Sequence, residues 1–325
     1  MTAAPIDVIG VGNAIVDVIA HASDAFLDRE GLVKGSMALI DQSRATTLYE
    51  RMGPGIEASG GSVANTMAGL ASFGADAAFI GKVADDQLGK FFGHDMQAVG
   101  VDFVADTTAG GLPTGRCLIL VTPDAQRTLN TYLGISTLLQ PADIDEDAVA
   151  AARILFCEGY LWDVESAKNA IRRAMAVAGD AGRQVALTVS DSFCVERHHT
   201  EFLELIDGPV DILFANEAEL GALYDTDFSA AVEIVRSRVA VGCLTRGAAG
   251  SLLVRGDETV EVRAGKPIPR VVDTTGAGDQ YAAGALYGLA RGLPLAEVGR
   301  LAAAAATEVI SHVGPRPEIP LRDLI

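Results

Sequence analysis

At 325 residues, with 49% hydrophobic and 21% charged side chains, the chain is long enough for two domains or for one large domain with an appendage. A formal charge of −18 argues against wrapping a nucleic-acid backbone, and no run reaches the ~18 uninterrupted apolar residues of a membrane span. The start, Met1-Thr2-Ala3-Ala4-Pro5, lacks an export pattern, and cysteines at 117, 157, 194 and 243 form no CxxC, so a cytoplasmic protein with reduced thiols is expected.

Residues 6–12 read as a buried strand ended by glycine, and 14–20 and 36–40 as strands with no helix between them. A helix is expected over 64–73, a strand over 77–83 and a helix over 86–99. Strands at 114–122 and 127–133 are joined by Pro123-Asp124-Ala125-Gln126, a good hairpin turn. Beyond them, strands at 154–157, 185–189, 211–215 and 239–244 alternate with helices at 166–181, 200–205, 218–223 and 229–238. Short apolar strands alternating with amphipathic helices predict parallel βαβ units and a sheet covered on both faces. The fold class is α/β. The two helix-free strand pairs form a small antiparallel sheet, placed as a lid over a site at the strand ends. The expected core spans 1–12, 41–112 and 134–325, and the lid 13–40 and 113–133. The pair His198-His199 reads as surface, because adjacent side chains on one element point different ways.

Asp273-Thr274-Thr275-Gly276-Ala277-Gly278-Asp279 runs into the Ala-rich stretch Gln280-Tyr281-Ala282-Ala283-Gly284. A small-residue turn feeding a helix leaves backbone N–H groups unpaired at the helix start, and glycines let an anion approach them closely. Asp279 is a carboxylate beside that cradle. Such a group is suited to taking a proton from a hydroxyl that then attacks a phosphate. A tight turn with Asp279 favoured only by the helix dipole is the plainer alternative.

Asn13 and Asp17 share a face of an extended chain, since side chains alternate with period two. An amide and a carboxylate on one face of an otherwise apolar strand suit a vicinal diol; an exposed polar face on a lid strand is the alternative. Gly60-Gly61-Ser62-Val63-Ala64-Asn65 adds paired glycines opening a helix, with Asn65 one turn beyond Gly61.

Together these segments resemble the PfkB, or ribokinase-like, family of carbohydrate and nucleoside kinases. The resemblance is carried by Gly10-Val11-Gly12-Asn13 with Asp17, the 60–65 stretch, the 81–89 stretch, Asn216-Glu217-Ala218-Glu219, Thr245-Arg246-Gly247 and the 273–279 turn, in the family's order. It implies a ribokinase-like three-layer α/β/α core with a β-sheet lid. It also implies Asp279 as the base, and the amides of Gly276, Ala277 and Gly278 as the hole for the transferring phosphoryl group. Asn216 and Glu219 match the element that positions Mg2+ and its waters near ATP. Thr245, Gly247 and Gly250 would line the nucleotide side, and Asp273 and Thr275 would help hold a monovalent cation such as K+. No Gly-x-x-x-x-Gly-Lys-Ser/Thr is present, which disfavours a P-loop kinase, and Gly10-Val11-Gly12 lacks the third glycine of a dinucleotide fingerprint. A non-catalytic binding regulator on this fold is disfavoured by the intact Asp279.

Within the family the chain looks most like the adenosine kinases, through the Gly-x-Gly-Asn-x-x-x-Asp opening, Pro113-Thr114-Gly115-x-Cys117 and Gln126-Arg127-Thr128-Leu129. A nucleoside needs an apolar slot beside the diol site. Cys117, Leu129, Leu161 and Trp162, with Ala38 on a lid strand, are candidates, each with ordinary core as its alternative. The resemblance makes Gly61, Ser62 and Asn65 acceptor-side residues and Arg127 the cationic partner for phosphate. Tyr160-Leu161-Trp162 departs from the phenylalanine pair of the adenosine kinases, so ribokinase, fructokinase and ketodeoxygluconate kinase stay open as sugar-kinase alternatives. The expected partners are a nucleoside or sugar and ATP, with no nucleic acid or membrane. The chain would act as a monomer or a lid-mediated homodimer.

Overall fold

The computed structural model describes residues 6–104, 111–124, 126–264 and 271–325, and their strands form two sheets. The larger runs, in spatial order, β14 (Glu258–Val262), β13 (Ser251–Arg255), β12 (Val241–Thr245), β11 (Ile212–Asn216), β10 (Gln184–Thr188), β9 (Ile154–Glu158), β1 (Val8–Val11), β5 (Ala77–Ile80) and β6 (Val101–Val104). All neighbours from β6 to β12 pair in parallel, and β13 and β14 fold back antiparallel.

Alternation of side chains sorts this sheet onto two cores. Ile9, Val11, Leu155, Cys157, Leu187 and Leu213 point to one, which packs against α5 (Glu146–Ala151), α6 (Glu165–Asp180), α7 (Ser192–Ile206), α8 (Glu217–Tyr224) and α9 (Phe228–Arg238). Val8, Phe79, Phe156, Ala186, Phe214 and Cys243 point to the other, under α3 (Ser62–Phe73), α4 (Gln87–Ala98), α10 (Ala277–Ala290) and α11 (Leu295–Val309). Both faces of the strands are apolar because both are covered. The result is the expected three-layer α/β/α core with a mostly parallel sheet and a smaller second sheet.

The small sheet departs from expectation in composition and direction. Its order is β3 (Met37–Leu39), β8 (Arg127–Tyr132), β7 (Gly115–Val121), β2 (Ile15–His21) and β4 (Gly55–Gly60). It is mixed rather than antiparallel, since β2 pairs with β7, and β3 with β8, in parallel. The fifth strand, Gly-Ile-Glu-Ala-Ser-Gly, has no apolar run to announce it and is specified by its pairing with β2. A helix does lie between β2 and β3. This is α1 (Asp24–Glu30), capped by Ser23, whose hydroxyl accepts from Phe26 N–H, and closed by Gly31 at φ 66°. Seven residues are too few to display a helical period. It packs with α2 (Gln42–Arg51) on the outer face of the small sheet, where Val18, Leu27, Leu48, Leu118 and Leu120 form a separate core.

In the 123–126 turn, Ala125 lies outside the described residues. The four cysteines are free and buried. His198 Nε2 lies 2.6 Å from Asp163 and His199 Nε2 2.9 Å from the Leu223 carbonyl, so the adjacent pair diverges.

Candidate active site

The starts of α3 and α10 face one another. Neither cap residue offers a side chain to its helix; beyond Val63 N–H, taken by Glu158, and Ala277 N–H, taken by the Thr274 carbonyl, first-turn amides such as that of Gly278 stay open toward the space between them. Both caps are glycines for steric reasons. Gly61 holds φ 102°, and a Cβ there would meet the Asn13 carbonyl; Gly276 holds φ 77°, and a Cβ there would sit 2.5 Å from Pro315.

Asp279, in the first turn of α10, points into this junction. Its two oxygens accept from Ser62 Oγ at 2.7 Å and Asn65 Nδ2 at 3.0 Å, both on α3. Burial pushes its carboxyl up to about 6, against the pull of those two hydrogen bonds. Of the three amides expected to form an anion hole, that of Ala277 donates within the turn to the Thr274 carbonyl at 3.2 Å. Gly278 lines the adjoining cavity, as do Thr275 and Asp279, whereas Gly276 and Ala277 do not.

That cavity, about 380 Å³, lies between the small sheet and the carboxyl ends of β9 to β12. Asn13, Asp17, Gly61, Ser62, Cys117 and Leu129 line it. Asp17 is 6% exposed and opposes Cys117 across the β2–β7 ladder. Burial lifts it to about 7, with the Asp279 charge adding to the rise and the Arg316 and Arg127 charges opposing it. Among the described residues nothing donates a hydrogen bond to it, and the hydrogen of Gly60 is what leaves room for its carboxylate. Asn13, by contrast, is engaged at both ends of its amide. Nδ2 donates to Glu158 at 2.6 Å, and Oδ1 accepts from Ser136 at 2.9 Å.

Leu161 and Trp162 do not line the slot; both are buried in the core beneath α6 and α7. The residue that reaches the cavity from that segment is Tyr160, because residues 159–163 form a 3-10 turn that sends successive side chains to different sides. On the lid strand β3 the cavity is lined by Met37 and Leu39 rather than Ala38, again by period-two alternation.

Asn216 and Glu219 form a reciprocal cap at the start of α8. Asn216 Oδ1 accepts from Glu219 N–H at 3.0 Å, and the Glu219 carboxylate accepts from Asn216 N–H at 2.8 Å and Nδ2 at 2.5 Å. Both line the cavity, and burial lifts Glu219 to about 7. Thr245 lines it as well; Gly247 and Gly250 do not. Gly250 has a packing reason, since a Cβ there would strike the Val262 carbonyl of β14.

The Asp273 carboxylate is held by three protein groups. It pairs with Arg127 Nη2 at 2.5 Å and accepts from Gly314 N–H at 2.9 Å and Thr275 N–H at 3.0 Å. Through these contacts the carboxylate clamps the turn. Arg127 also donates to Thr275 Oγ1 at 3.3 Å, so the small sheet is tied to the 273–279 turn.

Sequence reasoning missed Glu158 and Arg316. Glu158, 1% exposed at the end of β9, accepts from Asn13 N–H at 2.8 Å and Val63 N–H at 3.1 Å. Burial lifts it to about 7 despite those donors. A carboxylate ending a run of four apolar strand residues, where α/β sites gather, was the available signal. Arg316 comes from the irregular C-terminal segment, which no period marks. It donates to Asp95 at 3.0 Å and to Asn65 Oδ1 at 3.4 Å. The same segment holds Gln280, whose buried amide donates to the carbonyls of Asn65 and Pro315, each at 3.0 Å.

A buried carboxylate between two open helix starts, facing a second carboxylate across a deep slot, is the equipment of a phosphotransferase acting on hydroxyl groups. Residues 47–322 match the model of the pfkB family carbohydrate kinase, and the chain belongs to that family. It is similar to the adenosine kinase of Sinorhizobium meliloti, at 50% identity and a TM-score of 0.92 over 99% of this chain and 98% of that one. It is also similar to a probable sugar kinase of Rhizobium etli CFN 42, at 46% identity and a TM-score of 0.92 over 98% and 97% of the two chains. Among curated proteins, the 5-dehydro-2-deoxygluconokinase of Shouchella clausii is 27% identical over 97% of this chain and 92% of its own.

Proposed function

We propose that the chain transfers the γ-phosphoryl group of ATP to a primary hydroxyl, with the 5′-hydroxyl of adenosine as the foremost acceptor and AMP as product. The observation that carries this reading is the Asp279 carboxylate, held by Ser62 and Asn65 between the two helix starts and facing the cavity that Asp17 lines. Asp279 takes the proton of the acceptor hydroxyl as its oxygen attacks the γ-phosphorus. The bond to the β–γ bridging oxygen breaks and ADP leaves. The open start of α10, with Gly278 N–H, faces the charge that builds on the transferring group.

Asp17 receives the acceptor's hydroxyls, and the apolar wall of Ile15, Met37, Leu39, Ile119 and Leu129 suits a flat base beside them. Glu219, with its oxygens engaged by Asn216, would hold Mg2+ through water, where the ion supplies charge neutralisation to the phosphates. The similarity to the Sinorhizobium enzyme supports adenosine. The relatives named as sugar kinase and 5-dehydro-2-deoxygluconokinase favour a sugar or a sugar acid as the second reading. An ATP-consumption screen of adenosine, other nucleosides, ribose, fructose and ketodeoxygluconate decides between them. Turnover of sugars without adenosine would reverse the order. No helix among the described residues is long and apolar enough to cross a membrane, and a cytoplasmic enzyme is the setting that suits ATP use.

A further inference from the structure

Taking the cavity as the acceptor site of a kinase, we propose that it admits only uncharged acceptors, rejecting sugar acids and phosphorylated sugars, and that Glu158 enforces part of this selection. Among the described residues that line it, Asp17, Glu158, Asp163, Glu219 and Asp279 carry carboxylates, and no lysine, arginine or histidine does. The arginines whose charges reach Asp17 are tied back by other acids. Arg127 is held by Asp273 at 2.5 Å and Arg316 by Asp95 at 3.0 Å.

Asp17 makes the point from the opposite side. It is 6% exposed, lines the cavity and receives no hydrogen bond from any described residue. A buried carboxylate without donors requires them from its ligand, and hydroxyls supply them. A carboxylate or phosphate on the acceptor brings acceptor atoms only, and a like charge, into a site screened poorly from Asp17, Glu158 and Asp279. The charge of ATP enters at the other end of the same cavity, toward the start of α10 and the Glu219 metal element. Glu158 contributes its charge from the floor of the slot, where it also fixes Asn13.

The test is calorimetric binding to the intact chain with a non-hydrolysable ATP analogue and Mg2+, using ligand pairs that differ in charge. One pair carries the difference at the diol end, 3′-carboxamidomethyl-3′-deoxyadenosine and its 3′-carboxymethyl counterpart; the other is fructose and ketodeoxygluconate. In whichever pair binds, the neutral member is expected to bind at least about 100-fold more tightly. Equal or tighter binding of the anionic member, or binding by no member of either pair, overturns the proposal. Turnover is measured alongside: neutral-selective binding with no phosphorylation of any acceptor sinks the kinase reading while the charge selection stands. Glu158→Gln keeps an oxygen for Asn13, gives up the acceptor of Val63 N–H and removes the charge, and is expected to narrow the gap about tenfold. An unchanged gap in the folded variant removes Glu158 from the proposal.

Discussion

Ser62 Oγ donates to Asp279 Oδ1 at 2.7 Å, joining the first turns of two helices that lie 217 positions apart in the chain. The bond stabilises the ionised carboxylate that a base requires while burial opposes it.

Replacing Asp279 by Asn removes the proton acceptor and keeps the shape. We expect kcat to fall between about 100- and 10,000-fold with acceptor and ATP affinities little changed. Steady-state kinetics with calorimetry checks this, and wild-type turnover by the variant would remove Asp279 from its role.

Asp279 titrates near 6, so the base form gains as pH rises through that value. Turnover should climb through pH about 6 and level off above it. Ser62→Ala deletes a bond that lowers this value, so the acid limb should move to higher pH. A limb that moved lower would contradict the assignment.

Asp17 sits near 7, above its unfolded value, so its contribution to stability is present below the ordinary carboxylate range and is lost as pH rises through 7. Asp17→Asn should therefore raise the apo Tm at pH 8, with a gain that shrinks toward pH 4. The same variant should raise the acceptor KM far more than the ATP KM. Calorimetric melts and paired KM measurements test both halves.

Leu161 and Tyr160 are neighbours with opposite expectations. Leu161→Ala opens a core cavity and should cost roughly 2–5 kcal/mol with acceptor KM nearly unchanged. Tyr160→Ala should shift acceptor KM at little cost in stability. Denaturant unfolding and kinetics on both variants distinguish core from slot.

Arg316→Ala removes the donor that orients Asn65 and a countercharge of Asp17. Acceptor KM should rise with ATP KM nearly unchanged, and Arg316→Lys should restore part of the loss. A uniform fall in both affinities would mark Arg316 as merely structural.

The parallel core was legible because strands buried on both faces are continuous apolar runs, and Gly-rich helix starts mark where anions can approach. Asp17 and Asp279 were legible because a charge among small or apolar residues stands out. What stayed hidden depends on partners far away in the chain. Strand β4 is polar and exists through β2, and Leu161 and Tyr160 differ only by the twist of a short 3-10 turn. The clamp of Arg127 and Gly314 on Asp273 likewise joins residues far apart in the chain. Arg316 has no local pattern at all.

Residues 314–316, beyond α11, bind three parts of the site at once. Gly314 N–H holds Asp273, Pro315 seats Gly276 and Gln280, and Arg316 orients Asn65. The 273–279 turn is thus fastened by a segment that belongs to neither sheet and to no helix. Cutting the chain before Gly314 would leave every strand and Asp17 in the sequence, yet remove the groups that hold Asp273, Gln280 and Asn65 in register.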